Sequence, residues 1–274
     1  MTSAGNTQAM AGSGPGFMDT LASEWTKMRS LRGTYLMVIL SIVLSVGLTA
    51  LVAVVTGSTF DEWNASDQAN FEPTLFSFFG SIFSGIIFAV LGVTFMTSEY
   101  SSGMIRLTLT VTPKRGRVLL AKVLVVTAVT LVVGTVVVFL CYFVAQAAFG
   151  SYDMPTSSLG DSDTQRALIA ASLLGPLFPV IGLCIGVFLR STAGGITAIL
   201  ALLFAPAIFS GLFPEWWQEN VLSLLPGNAG DSVIIGHLQD APVYLGVGPA
   251  LLVVAAWVAI FVGGAYYVIN RRDA

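Results

Sequence analysis

Residues 123–152 read VLVVTAVTLVVGTVVVFLCYFVAQAAFGSY, thirty consecutive positions without Asp, Glu, Lys, Arg or His. An α-helix rises about 1.5 Å per residue and the hydrocarbon core of a bilayer is about 30 Å thick, so such a run crosses it with residues to spare. Barrel strands are roughly ten residues long and alternate apolar with polar positions, a pattern absent here. Only a helix satisfies every backbone N–H and C=O within one such segment. Working outward, charge-free runs of 28, 26, 23, 24 and 30 residues recur at 33–60, 73–98, 167–189, 191–214 and 241–270. The fold expected is all-α and membrane-integral, with six spans near residues 34–56, 75–97, 123–149, 167–189, 195–214 and 247–269 in one transmembrane domain over 33–274. Composition agrees: 55% of the 274 residues are hydrophobic and 10% charged, against about 25% charged in globular proteins.

Charge orients the spans. Lys27, Arg29 and Arg32 precede the first, Arg106, Lys114, Arg115, Arg117 and Lys122 fall between the second and third, Arg190 follows the fourth, and Arg271 and Arg272 follow the sixth. Eleven of the twelve basic residues thus share one side, Arg166 being the exception. The positive-inside rule makes that side, with both termini, cytoplasmic in a plasma-membrane protein. The acidic residues Asp61, Glu62, Asp67, Glu72, Asp153, Asp161, Asp163, Glu215, Glu219, Asp231 and Asp240 lie in the opposite loops. The first apolar run is too long for a signal-peptide core and reads as a retained span. Cys141 and Cys184 lie inside spans as small apolar groups and imply no disulfide or zinc framework.

The Gly/Ser-rich residues 1–16 read as disordered, and residues 17–32 as an amphipathic interfacial helix. Met18, Leu21, Trp25 and Met28 form its apolar stripe, extended by Phe17 and Leu31, while Asp19, Ser23, Glu24, Lys27 and Ser30 take the other faces. Such a stripe beside basic residues suits a helix lying on the membrane surface; an irregular basic flank that merely orients the first span is the simpler reading. The loops near 57–73 and 150–166 are short and polar. The segment from Phe213 to Gly246 holds two apolar stretches around Pro226-Gly227-Asn228 and reads as two short interfacial or re-entrant helices. Trp216 and Trp217 within it suit interface anchoring, a substrate contact being the sharper alternative. Gly182 and Gly186 make a G-x-x-x-G, and Gly194, Ala198, Ala201 and Ala205 a small-residue stripe, for close helix packing within the chain or across a dimer.

An intramembrane enzyme needs a nucleophile with its base, or metal ligands. The single histidine, His237, stands in a loop without a partner pattern, and no H-E-x-x-H or G-x-S-x-G occurs. The charge-free runs offer an ion-coupled carrier no relay group, and no G-x-x-x-x-G-K-[ST] binds a nucleotide. Energy for active transport would therefore enter through another chain. The place for it is the basic segment Glu99-Tyr100-Ser101-Ser102-Gly103-Met104-Ile105-Arg106, continuing to Pro113-Lys114-Arg115-Gly116-Arg117.

With the opening Ser23-Glu24-Trp25-Thr26-Lys27-Met28-Arg29-Ser30, that segment resembles the permease subunits of type-two ATP-binding-cassette (ABC) exporters, particularly those of actinobacteria. The likeness extends over nearly the whole chain through the order of leading helix, six spans, basic loop, helical pair and basic tail. It implies a half-transporter: two such permeases, identical or similar, above cytoplasmic ABC ATPase subunits that bind the ATP, with no cofactor or catalytic site of the permease's own. Membrane lipids are the other expected partner, and nucleic acid is not one. Family members export lipids, glycans, drugs or peptides. On this reading Glu99, Tyr100, Gly103, Arg106, Pro113, Lys114, Arg115 and Arg117 form the coupling contact with the ATPase. The simpler role for its basic residues is orientation and phospholipid binding. The alternative function is a stand-alone membrane protein, such as an assembly factor, sensor or passive channel.

Overall fold

A computed structural model of the chain describes residues 16–104, 114–212, 214–236 and 244–271. The expectations for residues 1–15 and for Arg106, Pro113, His237 and Arg272 lie outside the described residues. The described residues are helical and joined by turns, with α1 Phe17–Ser30, α2 Arg32–Thr59, α3 Ala65–Ala69, α4 Pro73–Ser77, α5 Ser81–Ser101, α6 Arg115–Ser151, α7 Ser162–Leu174, α8 Leu177–Leu189, α9 Thr192–Phe209, α10 Glu215–Asn220, α11 Pro226–Ile234 and α12 Val247–Arg271. Six segments are long and apolar enough to cross a membrane: α2 with its short extension, α5, α6, α7 with α8, α9 and α12.

The fourth span is two helices rather than one. Gly175 and Pro176 interrupt it, since proline has no N–H to give the preceding turn. The third runs farther than its apolar run, beginning at Arg115 and carrying Lys122 two turns inside.

At the centre α5 packs along α8. A Cβ on Gly92 would collide with the Pro179 carbonyl, and one on Gly182 with the Ala89 carbonyl, so glycine at both positions lets the two backbones meet. Gly186 adjoins Met96 on the same seam. The G-x-x-x-G of the sequence is thus an internal packing face. Around it lie Met28, Phe88, Leu91, Phe95, Met96, Leu119, Val126, Leu183 and Val187.

The loop after the first span is less polar in space than in sequence. Phe71, buried, stacks against Phe60, Phe76 and Phe149, with Trp63 beside it. These rings plug the end of the bundle that carries most of the acids. There Tyr142 donates to the Ser157 carbonyl at 2.9 Å, and the Gln146 carbonyl oxygen accepts from the Ser157 N–H at 2.8 Å. On the sixth span, Trp257 Nε1 donates to the Leu224 carbonyl at 2.8 Å, tying α12 to the turn before α11.

Candidate functional site

The basic end of the bundle holds the densest chemistry. Glu24 on α1 is 1% exposed, Glu99 near the end of α5 is 5% exposed, and Lys122 on α6 is fully buried. Lys122 Nζ donates to Glu24 Oε2 at 2.7 Å and to Glu99 Oε1 at 2.7 Å. Lys27 Nζ, half-buried, donates to Glu24 Oε1 at 2.7 Å and to Glu99 Oε1 at 2.8 Å. Two ammonium groups and two carboxylates therefore form one neutral cluster joining three helices. The Phe95 ring lies 4.4 Å from Lys122 Nζ and adds a cation–π contact. Burial works against the charge on Lys27, but its hydrogen bonds to Glu24 and Glu99 outweigh that and hold the ammonium above the usual lysine range. The other oxygen of Glu99, Oε2, is buried without a partner among the described residues.

The cluster forms where it does because of register. Glu24 lies four residues after Thr20 and four before Met28, so these three share the helix face turned inward. The residues of the expected α1 stripe divide between the bundle and the outside. Met28 is buried and Leu21 packs beside it, but Met18 and Trp25 are 74% and 44% exposed. Glu24 faces inward with Met28, its carboxylate meeting Lys122, and turning it outward would leave that buried ammonium short of a partner. The exposed Met18 and Trp25 then face away from the bundle.

Glu99 and Lys122 stand one residue outside the charge-free runs 73–98 and 123–152, on the helices that carry the second and third candidate spans. The cations that meet Glu99 are Lys27 of the leading helix and Lys122, and the second has no signal in the sequence beyond its place at the edge of an apolar run.

The remaining coupling residues divide. Tyr100 is half-buried, with the Arg190 guanidinium 5.3 Å from its ring centroid. Arg190 itself closes α8 in the left-handed region at φ 52°, an uncommon conformation for a residue with a side chain. Gly103 ends α5 at φ 69°, where glycine is favoured. Lys114 is exposed, Arg117 half-buried, and Arg115 Nη1 donates to the Ile269 carbonyl at 3.4 Å, fastening α6 to the last turn of α12. Trp216 and Trp217, at the other end, are 62% and 43% exposed, away from this cluster.

Missed by sequence reading were the functional placement of Glu24, Lys122 and Arg190. One signal was available: Lys122 stands at the very edge of an apolar run, seven residues into the helix that Arg115 begins. Nothing in a linear reading indicates that α1 folds back against it.

The arrangement is an electrostatic clamp rather than a reaction centre. Each lysine contacts both carboxylates, so withdrawing α5 or α6 would leave buried charge unmatched, while withdrawing α1 would break two ion pairs between helices. The clamp thus ties α1 to the basic ends of α5 and α6.

Among curated proteins, none matches the chain at a significant level. The family model described as ABC-2 family transporter protein matches residues 20–209, from the second turn of α1 to the end of α9. That stretch contains the clamp and five of the six candidate spans. The chain is therefore a multi-pass membrane protein belonging to the ABC-2 family of transporter proteins, the membrane component of an ABC transporter.

Proposed function

We propose that the chain is the permease of an exporter whose ATP is bound and hydrolysed by separate ABC ATPase subunits, with two permeases, identical or similar, per transporter. The basic end faces the cytoplasm, in keeping with the eleven-to-one distribution of basic residues. The absence of a P-loop in the sequence supports a nucleotide site on another chain.

The observation that carries the coupling role is the clamp beside residues 99–117. A push by the ATPase on that segment would arrive at Gly103 and Lys114, at the ends of α5 and α6. Because Glu99 and Lys122 are joined to each other and to α1, the displacement would pass to three helices together. Arg115, bound to the Ile269 carbonyl, would bring the sixth span with them. The outward Trp25 and Met18 suit insertion at the cytoplasmic lipid interface.

The test is a native pull-down in mild detergent followed by reconstitution. A partner chain with a P-loop is expected to copurify, and the lone permease to hydrolyse no ATP. If the lone chain concentrated a solute under a proton or sodium gradient, the assignment would be wrong, and a stand-alone carrier would replace it.

A further inference from the structure

In the half of the bundle toward the acidic end, a cavity of about 710 Å³ opens among α5, α6, α7, α8, α9 and α11. Binding sites for small molecules commonly enclose about 300–1,000 Å³ and are mainly apolar with a few polar groups. Phe76, Phe79, Phe88, Phe178 and Phe204 supply much of the wall here. Phe79, Ile82 and Phe204 line the cavity and are also 43%, 58% and 44% exposed. Its mouth thus lies between the start of α5 and the second half of α9, on the surface of apolar side chains that faces lipid.

The charged part of the described lining has one sign. Glu72, before α4, and Asp231, on α11, both line the cavity beside the neutral Asn70, Ser81, Ser84 and Asn228, and no Lys, Arg or His does among the described residues. Among the described residues no cation lies within ion-pair distance of either carboxylate. Asp231 is reached from the cavity, but the protein packed around its other sides pushes its carboxyl up to about 6. The titratable neighbour on the following segment is Tyr244, itself raised by burial and by Asp231. An acid held in this way without a counter-charge favours a cation brought from outside. The phenyl faces favour the same charge.

We infer that this cavity binds an amphiphilic cation, a molecule with an apolar body filling the phenylalanine-walled space and a positive group set against Asp231 and Glu72, entering sideways from the membrane. If the chain is an exporter's permease as proposed above, that molecule is its cargo. An amphiphile suits the walls better than an inorganic metal ion, because most of the lining is apolar and no group of three His, Cys, Asp or Glu gathers among the described residues.

The test uses full-length permease in nanodiscs of uncharged lipid, with tetraphenylphosphonium as probe and its isosteric anion tetraphenylborate as control. Saturable binding of the phosphonium is expected, and none of the borate. Because the probe's charge is fixed, its affinity should rise about tenfold from pH 5 to pH 7.5 as Asp231 ionises. D231N should remove that pH dependence and weaken binding. Gly85 lines the cavity, and a Cβ there meets nothing within 4 Å, so Gly85→Leu should block the site without a clash. Equal binding of cation and anion by the wild-type chain would overturn the inference and mark the cavity as a lipid-filled or dimer-covered space. Unchanged pH-dependent binding in a folded D231N protein would overturn it as well. No ATPase is needed in this assay, so its outcome is independent of whether a P-loop partner copurifies.

Discussion

At the basic end, Glu24 and Glu99 are met by Lys27 and Lys122 at 2.7–2.8 Å, whereas at the acidic end Asp231 and Glu72 face an apolar cavity with no cation among its described lining residues. Both regions set carboxylates against hydrophobic surroundings, which is costly unless the charge is matched. In the first the match is covalently part of the chain and joins three helices. In the second it is missing, and the volume beside it is large enough for a molecule. A matched cluster resists separation and suits the transmission of force, while an unmatched acid beside open space suits the capture of something mobile. A carboxylate beside apolar surface therefore says little about role by itself; what stands opposite it decides.

The largest effect expected from breaking this contrast is at Lys122. Lys122→Met leaves one lysine against two buried carboxylates, and removing one partner of a buried pair typically costs about 3–5 kcal/mol. A sharp fall in the thermal midpoint of the detergent-purified protein is expected. Lys122→Met with Glu24→Gln restores neutrality, and should regain part of the loss. If the double variant were no more stable than the single one, the neutral-cluster account would fail.

Glu99 comes next, because its removal leaves the remaining carboxylate, Glu24, shared by both lysines. Glu99→Ala is expected to give a complex that still assembles with its ATPase but exports well below wild type, with Glu99→Asp milder. The exchange of Glu99→Lys with Lys122→Glu should recover some efflux, since it keeps the pair on the same two helices. Efflux and ATP hydrolysis measured on the same proteoliposomes decide this, and normal efflux by the Ala variant would remove Glu99 from coupling.

A smaller and opposite effect is expected from Asp231. Its folded-state value, about 6, lies above the ordinary 3.8, so the neutral form is the one the fold favours. Its contribution to stability is full below about 3.8 and is lost as pH rises from there through about 6. D231N, which stays neutral, should therefore match the wild type only at or below about pH 3.8 and be the more stable of the two above about pH 6, as read by thermal unfolding without ligand. A wild-type protein that gained stability relative to D231N over that interval would show that a cation already pairs with the acid.

The smallest effect is at the one basic residue on the acidic side. Arg166 and Asp163 are 3.7 Å apart and each 57% exposed, and pairs in water are worth about 0–1 kcal/mol. Arg166→Ala should leave the thermal midpoint nearly unchanged, marking the lower limit against which the clamp is compared.

Six spans and the polarity of the chain were legible because they depend on one-dimensional properties. A lipid core excludes charge over about 20 successive residues, and runs such as 123–152 record that directly. Positive φ at Gly103 was likewise foreseeable as a break. The coupling segment was legible as to place, since basic residues and a helix end coincide there, but not as to pairing. Glu24 is 75 positions before Glu99 and 98 before Lys122, and no periodicity connects them. The stripe read on α1 set Glu24 among its polar faces, because on any scale of residue polarity a glutamate belongs in water. Only tertiary structure supplies the buried ammonium that Glu24 meets. The cavity has the same origin: Phe79, in the turn before α5, Phe204 on α9 and Asp231 on α11 come from separate parts of the chain, and only their packing decides that they enclose space rather than fill it. What the sequence by itself determined was therefore membrane residence, span number and the distribution of charge between the two ends, all set by partition of each segment between water and lipid. What tertiary structure decided was which charges meet and where a void remains, because Coulomb attraction and packing act through distances that the chain's order does not contain.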